Sequence, residues 1–187
     1  MNNKKLYLLF ARYISLLILA TANLFIFYYV FQPLTFQAVL LFLKSFYAEN
    51  LVRFSTQDTF FLLETMKGRF YTASIIPACV AGAAYYLLTI LNLTTPMKIS
   101  KRIWSFVFLF CAFFLVNTLR ISYFIVLIID DSFNFFDTAH VATWYFGSTI
   151  FVIILWFANV LIFRIKTIPV YTDLKRLFLA AKRKHKF

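Results

Sequence analysis

Three polar side chains that interrupt apolar stretches carry the reactive chemistry of this sequence. They are the thiol of Cys79 in "IIPACVAGAAYYLL", the guanidinium of Arg120 in "FLVNTLRISYF" and the imidazole of His140 in "DTAHVATWYFG". A thiol among apolar residues is either small packing filler or a nucleophile. An arginine within an apolar span costs about 2.5 to 3.5 kcal/mol on insertion scales and marks a functional site by default. A pocket that contained all three groups would place a nucleophile beside a fixed positive charge and an imidazole.

Each residue also has a structural explanation that needs no chemistry. Cys111, in "FLFCAFF", is expected to be a small buried hydrophobe, and Cys79 can be the same. Arg120 can extend to the lipid headgroups, and a histidine such as His140 is often an amphipathic residue at the membrane boundary. The position of Cys79 favours reactivity, because Pro77 suits the first turn of a helix, where free N–H groups and the helix dipole favour a thiolate.

Polar and small neighbours suggest how these residues are held. Asn117 lies one turn from Arg120 on the same helical face, and it either orients the guanidinium or makes an interhelical hydrogen bond. Asp137 is close enough in sequence to bond the imidazole of His140, or it is a solvated loop acid. Small residues allow helices to approach closely; they follow Cys79 at Ala81, Gly82, Ala83 and Ala84, and they share the face of His140 at Thr143 and Gly147.

The composition indicates an integral membrane protein. Of 187 residues, 63% are apolar and only 14% are charged, and the mean hydropathy is +0.81. A hydrocarbon core of ~30 Å needs about 20 helical residues. Four apolar runs predict an all-α bundle of about four transmembrane helices in a single domain, with spans at 7–31, 77–93, 103–129 and 140–163. The first run lacks a small-residue cleavage pattern, so we expect a retained helix rather than a signal peptide.

Two segments outside the spans have patterns of their own. Residues 32–76 contain apolar pieces that are too short to span, among them an amphipathic piece near 36–47. Within this segment, "TFFLLET" and "RFYTASII" flank "MKG", which predicts a short hairpin with Gly68 in the turn. In the basic tail 164–187, apolar residues recur at helical spacing beside lysines and arginines, which predicts an amphipathic helix that lies along the anionic inner leaflet; these apolar residues are Leu174, Leu177, Phe178 and Ala181.

The charge distribution predicts the orientation of the spans. Most of the 19 lysines and arginines lie before the first span, between the second and third, and after the fourth, whereas most of the seven acidic residues lie in the other connections. Both termini are therefore expected in the cytoplasm, with 32–76 and the acidic loop outside the cell membrane. The same asymmetry accounts for the net charge of +12 without a nucleic-acid partner, which would need a soluble basic face.

This orientation brings the three reactive side chains to one level. Cys79 and His140 open the second and fourth spans at their outer ends. Arg120 lies about 25 Å above Ile103, at ~1.5 Å per residue, on a helix that starts inside. Cys111 lies near mid-membrane, so no disulfide with Cys79 is expected. No metal or cofactor site is expected either, because these cysteines differ in depth and the three glycines form no phosphate loop.

In their order and context, the three residues resemble the archaeosortase/exosortase family of multi-spanning membrane cysteine transpeptidases, and a small archaeal-type member in particular. That family is described as having Cys, Arg and His at the outer ends of successive helices, which correspond here to Cys79 in "PACVAGAAYYLL", Arg120 in "NTLRI" and His140 in "HVATWYFG". The resemblance covers about residues 75–164. Many members have a glycine two residues after the cysteine, whereas Gly82 follows Cys79 by three.

The resemblance implies a catalytic role for each residue. The Cys79 thiolate would attack the carbonyl of a peptide bond just outside a substrate's own membrane helix and form a thioester, which releases that helix with its basic tail. Arg120 would stabilise the oxyanion or hold the substrate backbone, and His140 would move the proton from the thiol to the leaving amine. Substrates would be surface proteins with a C-terminal sorting signal. The acceptor would be a lipid amine or another headgroup, and water in its place would make the protein a protease.

A different class of function stays open at this stage. A non-enzymatic membrane subunit, or a binding or carrier protein for an anionic headgroup, would use the charge of Arg120 and the small-residue faces. Such a protein needs nothing from Cys79 or His140. The two hypotheses therefore differ in whether the thiol and the imidazole matter.

Overall fold

The computed structural model describes residues 3–21, 24–46, 52–55, 60–65, 67–130 and 132–165. Within these ranges the chain is mostly helical, with one small sheet. The elements in order are α1 (Asn3–Thr21), α2 (Phe25–Phe46), β1 (Val52–Ser55), β2 (Phe60–Glu64), β3 (Phe70–Ser74), α3 (Pro77–Val80), α4 (Gly82–Thr94), α5 (Ile99–Ile129), α6 (Phe133–Ala142), a π-helical turn (Thr143–Gly147) and α7 (Ser148–Ile162). Three stretches are long and apolar enough to cross a membrane, namely α2, α3 with α4, and α5, whereas the apolar helix α7 is shorter.

The longest helix, α5, packs against α2, α4, α6 and α7. Its buried residues recur at every fourth position, so they line one face of the helix. They include Ser105, Leu109, Phe113, Asn117, Ile121 and Ile125. The predicted third span, 103–129, is therefore confirmed as a helix, and it continues without a break through Arg120.

The predicted single helix over 7–31 is wrong. The helix α1 ends at Thr21, and α2 begins at Phe25 after Leu24, whose φ of 58° lies in the left-handed region. Thr21 and Asn23, just before Leu24, have lower helix propensity than the leucines and alanines around them, which a count of apolar residues does not register. The predicted boundary at residue 31 fails for the opposite reason, because α2 passes through Pro33, a residue that usually ends a helix, and continues to Phe46.

The helix α2 connects the other helices to the sheet. Near its start, Phe31 stacks on Tyr85 of α4 with ring centroids 4.0 Å apart. The side-chain amide of the next residue, Gln32, donates a hydrogen bond to the carbonyl of Ile75 at 3.0 Å. Beyond Pro33, Phe36 stacks on Phe61 of β2 at 4.7 Å. The amphipathic piece predicted near 36–47 is thus the second half of α2, and its apolar face covers the sheet.

The predicted hairpin is confirmed and is part of a three-stranded antiparallel sheet with the order β1-β2-β3. Gly68 occupies the turn with φ +73°, a conformation that glycine adopts without steric cost. In β2, Phe61 and Leu63 are buried and alternate with partly exposed residues, as expected for a strand with one covered face. The strand β1 was not predicted from the sequence.

The fourth predicted span, 140–163, starts too late. The helical stretch begins at Phe133 with α6, passes through the π-helical turn and ends with α7 at Ile162. The predicted start at His140 was set by hydropathy. The preceding "DSFNFFDT" contains polar residues, and hydropathy alone does not detect an amphipathic helix with one solvent-exposed face. The predicted amphipathic helix of the tail 164–187 lies almost wholly beyond Ile165, outside the described residues.

Buried polar side chains join α4, α5 and α7 at the end of the bundle away from the sheet. The Ser105 hydroxyl accepts a hydrogen bond from the Asn92 amide at 2.8 Å and donates one to Asn159 at 2.9 Å. Arg102 donates to the carbonyls of Leu93 and Thr95 at the end of α4. Interhelical polar contacts of this kind fix how apolar helices pack, because apolar contact alone is weakly directional.

Candidate active site

Cys79 lies in the single helical turn of α3. Pro77 occupies the first turn, and the Cys79 N–H donates to the carbonyl of Ile76 at 2.9 Å. The helix stops at Ala81, which has a left-handed φ of 57°, and α4 starts at Gly82. The expected place of Cys79 in an opening turn is confirmed, but the expected continuous helix behind it is not. A four-residue helix has almost no macrodipole, so that argument for a reactive thiol fails.

The break after Val80 lies directly against α2. A Cβ on Gly82 would lie 2.6 Å from the Tyr28 ring, closer than side chains approach one another. The predicted close approach of another helix at Gly82 is therefore confirmed. Because the chain turns at Ala81, Ala84 N–H bonds to the Ala81 carbonyl rather than to that of Val80. The carbonyls of Cys79 and Val80 are thereby released from the helical ladder, whereas that of Ala78 accepts from the Ala81 N–H.

Two side chains of α5 occupy the released carbonyls. The Asn117 amide donates to the Cys79 carbonyl at 3.1 Å and to that of Val80 at 3.5 Å. The Arg120 Nη2 group donates to the same Cys79 carbonyl at 3.0 Å. Of the two roles considered for Asn117, the structure shows the interhelical hydrogen bond. Asn117 and Arg120 are one turn apart on α5, and both hold the backbone carbonyl of Cys79.

The remaining donors of Arg120 are only partly used. Its Nε atom is buried and has no hydrogen-bond partner, and the residue makes no ion pair with a carboxylate within the described part of the chain. A guanidinium that is desolvated without a counter-charge attracts any anion or polarised oxygen that reaches it. Arg120 is therefore a ready donor toward the space next to Cys79.

His140 lies in the last turns of α6 between two phenylalanines. Its ring stacks on Phe136 with centroids 5.2 Å apart at 10°, and it meets Phe124 of α5 edge-on at 5.3 Å and 90°. The side chain is exposed on one side. Asp137 is an exposed helix residue rather than a loop residue, and no hydrogen bond joins it to His140 among the contacts that the structure describes. Aromatic packing, not a carboxylate, orients the imidazole.

A π-helical turn begins three residues after His140. Its first residue, Thr143, donates its hydroxyl to the Ala139 carbonyl at 2.6 Å, and a Cβ on Gly147 would lie 2.5 Å from the Thr143 methyl group. Gly147 thus leaves space for Thr143, which lines the cavity described next. Single π-helical turns frequently occur at functional sites, since they change the direction of side chains on one face.

Cys79, Arg120 and His140 all line one cavity of about 510 Å³. Its walls come from α3, α5, α6 and the strand β3, and most of the lining is apolar. Besides the three predicted residues, the lining includes Phe61, the run from Tyr71 to Ile76, Ala78, Ile121, Phe124, Ile125, Ile128, Phe133, Phe136 and Thr143. The cavity combines a thiol, an uncompensated guanidinium and an imidazole with apolar walls.

Several of these wall residues were missed in the sequence. Phe124 and Phe136 are four residues from Arg120 and His140, respectively, so their helical spacing already placed them on the same faces. The contribution of β3 was not visible, because the hairpin's position relative to the spans depends on α2. Cys111 is exposed on the face of α5 that points away from the other helices, so the prediction that it is buried is wrong. The buried positions nearby are Leu109 and Phe113.

No known protein family, curated protein or solved structure matches this chain. Within the described ranges, no group of three or more His, Cys, Asp and Glu side chains is arranged to hold a metal ion.

Proposed function

We propose that this protein is a membrane cysteine transpeptidase of the archaeosortase/exosortase type, with Cys79, Arg120 and His140 as its catalytic residues. The observation that carries the proposal is the cavity, since three separate helices each contribute one of these side chains to its wall. A thiol, an imidazole and a fixed positive charge are the groups that acyl transfer through a thioester requires.

The reaction has two halves. In the first, His140 accepts the thiol proton, and the Cys79 sulfur attacks the carbonyl carbon of a substrate peptide bond. The tetrahedral intermediate collapses when the C–N bond breaks, and the protonated His140 returns the proton to the leaving amine. In the second half, an amine or hydroxyl attacks the thioester, transfers its proton to His140 and regenerates the thiol. Water in place of that acceptor gives hydrolysis.

Arg120 supplies the charge that both tetrahedral intermediates need. Its hydrogen bond to the Cys79 carbonyl holds the guanidinium beside the nucleophile. Its unpaired Nε and the absence of a carboxylate partner among the described residues leave positive charge for the oxyanion. Because the donors are fixed before substrate arrives, little reorganisation is needed as negative charge develops.

The position of the cavity suggests the class of substrate. It lies between apolar helices and the sheet, so it suits a peptide segment just outside a membrane helix. Membrane-anchored surface proteins with a C-terminal sorting signal fit this description, and a lipid headgroup near the same level is a suitable acceptor. The distribution of lysines and arginines favours a cell-membrane location with both termini in the cytoplasm and the cavity outside.

A second candidate function rests on Arg120 alone. A partly buried guanidinium in an apolar cavity, without a counter-charge among the described residues, is also how a protein would hold the anionic headgroup of a lipid. This carrier or subunit would not need Cys79 or His140. It predicts that a Cys79→Ala protein is fully functional.

A comparison of surface proteins in the native host tests the transpeptidase. The chromosomal copy is replaced by Cys79→Ala or, as a matched control, by Cys111→Ala, and the C-terminal peptides of surface proteins are identified by mass spectrometry. We expect proteins that keep their C-terminal helix only in the Cys79→Ala strain. Hydroxylamine, which cleaves thioesters, should release the processed proteins from the wild-type enzyme. Unchanged processing in a folded Cys79→Ala protein would refute the proposal.

A further inference from the structure

The strand β3 has one edge without a pairing strand among the described residues. It is the last strand of the β1-β2-β3 sheet, and within those residues only β2 is hydrogen-bonded to it. The Thr65 N–H donates to the Arg69 carbonyl at 2.8 Å, which makes these two a hydrogen-bonded pair. Hydrogen-bonded and non-hydrogen-bonded residue pairs alternate along an antiparallel ladder. Tyr71 and Ala73 therefore bond to β2, and the backbone N–H and C=O groups of the alternate residues point away from the sheet.

These outward groups belong to Phe70, Thr72 and Ser74. All three residues are exposed, and their backbone groups have no backbone partner within the part of the chain that the structure describes. Proteins usually protect such an edge with a charge or a proline. The sequence "FYTASII" from Phe70 has neither, so this edge is left open to pairing.

The cavity runs along this edge. Residues 71, 72, 73 and 74 all line it, although their side chains alternate between the two faces of the sheet. Phe61 of β2, the partner of Ala73, also lines the cavity, so it covers part of one face. Side chains on that face would account for only every second residue of β3, so the backbone of this strand borders the cavity as well. The lining continues through Ile75, Ile76 and Ala78 to Cys79. The edge of β3 and the nucleophile thus border one continuous space.

We propose that the substrate binds as an extended strand on the free edge of β3, parallel to it, with the peptide bond to be cleaved at Cys79. The inference rests on the transpeptidase proposed above and names how its peptide is recognised. Backbone pairing on an exposed edge is an established mode of peptide recognition. The direction follows from connectivity, because β3 runs toward the helix α3 and a substrate with a C-terminal membrane helix runs toward that helix.

Backbone pairing also fits the chemical character of the wall. Pairing uses peptide groups that every sequence has, while the apolar lining around Phe133 and Phe136 restricts the side chains that fit. Paired strands hold successive peptide bonds at fixed positions, at ~3.3 Å per residue. A strand anchored at Thr72 and Ser74 therefore has one particular peptide group beside Cys79 and Arg120.

Site-specific photocrosslinking in the native membrane tests this without requiring turnover. A benzophenone amino acid replaces Phe70, Thr72 or Ser74 in the full-length protein, and Phe54 on the opposite edge serves as the control. We expect adducts at the three β3 positions with the segment that precedes a C-terminal membrane helix. Parallel pairing places the Ser74 adduct nearer that helix than the Phe70 adduct. Adducts with lipid alone, no adducts, the reverse order or equal adducts at Phe54 would each overturn the proposal.

A proline substitution tests the hydrogen bond itself. Thr72→Pro deletes an outward N–H and leaves the bonds to β2 in place, whereas Thr72→Ala keeps that N–H. With the crosslinker at Ser74, we expect Thr72→Pro to lower the adduct yield about tenfold relative to Thr72→Ala, because a substrate carbonyl loses its donor. Equal yields would overturn the proposal. If surface proteins were processed normally in the Cys79→Ala strain but the β3 adducts still formed, the enzyme proposal would be refuted and the peptide-binding site supported.

Discussion

The guanidinium of Arg120 donates a hydrogen bond to the backbone carbonyl of Cys79 at 3.0 Å. This bond couples the central helix α5 to the break between α3 and α4. It also places a positive charge beside the thiol without a described carboxylate to neutralise it. Arg120 therefore supports the backbone of Cys79, and in the proposed reaction it would also bind the oxyanion; substitutions can separate these two roles.

Replacement of Arg120 tests the second role. We expect Arg120→Ala to slow thioester formation by about 10² to 10³, the usual loss when one oxyanion donor is removed. Arg120→Lys keeps the charge but lacks the planar guanidinium, whose several N–H groups can bond a carbonyl and an oxyanion at the same time. We therefore expect it to recover only part of that rate. Single-turnover measurements in detergent, with a substrate from the surface-protein comparison, give the rate directly.

Asn117→Ala is the matched control for Arg120. It removes the other hydrogen bond to the Cys79 carbonyl while leaving the guanidinium in place. We expect a loss of stability of about 1 kcal/mol from the missing bond and a much smaller loss of rate than in Arg120→Ala. Equal losses of rate in both variants would mean that Arg120 acts only by supporting the backbone.

The aromatic contacts of His140 predict a second kinetic effect. Phe136 stacks on the imidazole at 5.2 Å, so Phe136→Ala leaves the ring free to rotate away from the cavity. Proton transfer requires a correctly placed imidazole, and we expect the rate to fall about tenfold while substrate affinity changes little. Phe135→Ala is the control, because Phe135 is exposed next to it in the same helix. If both variants kept the wild-type rate, the stacking would have no part in placing His140.

The sequence predicted those features that local chemistry decides. The turn at Gly68 and the alternation around it specified the hairpin, and the long apolar run specified α5. The breaks in the helices were not predictable, because they depend on contacts between distant segments. The left-handed Ala81 is an example: nothing in "PACVAGAA" requires a break there, but the ring of Tyr28 occupies the space next to Gly82.

The same distinction applies to the site. The types of Cys79, Arg120 and His140 and their heights on three spans were sufficient to suggest a common pocket. The hydrogen bonds to the Cys79 carbonyl were not predictable, since that carbonyl is accessible only because the helix breaks. The contribution of β3 was missed because the position of the hairpin depends on α2, which the apolar runs had divided at the wrong residue.

The contact between Gly82 and Tyr28 leads to a prediction for stability. A methyl group on Gly82 would lie 2.6 Å from the ring, so Gly82→Ala forces the ring or α2 to move. We expect the free energy of unfolding in detergent to fall by about 1–3 kcal/mol. Ala83→Ser, an addition of one atom at an exposed neighbour, should have no comparable effect. Tyr28→Leu in the Gly82→Ala protein should restore part of the loss, and a double variant no more stable than Gly82→Ala would exclude this clash as the cause.

Thiol labelling on intact cells tests the placement of the cavity relative to the membrane. Cys79 is partly exposed and lines the cavity. Cys111 is exposed in the middle of α5, on the side away from the other helices, and α5 is long enough to span a membrane. We expect a charged, membrane-impermeant maleimide added outside to label the wild-type protein and the Cys111→Ala variant, but not Cys79→Ala. A lipid-soluble maleimide should label Cys111 in addition. Labelling of Cys79 by the charged reagent only after the cells are opened would place the cavity on the cytoplasmic side, where a surface-protein substrate has no access to it.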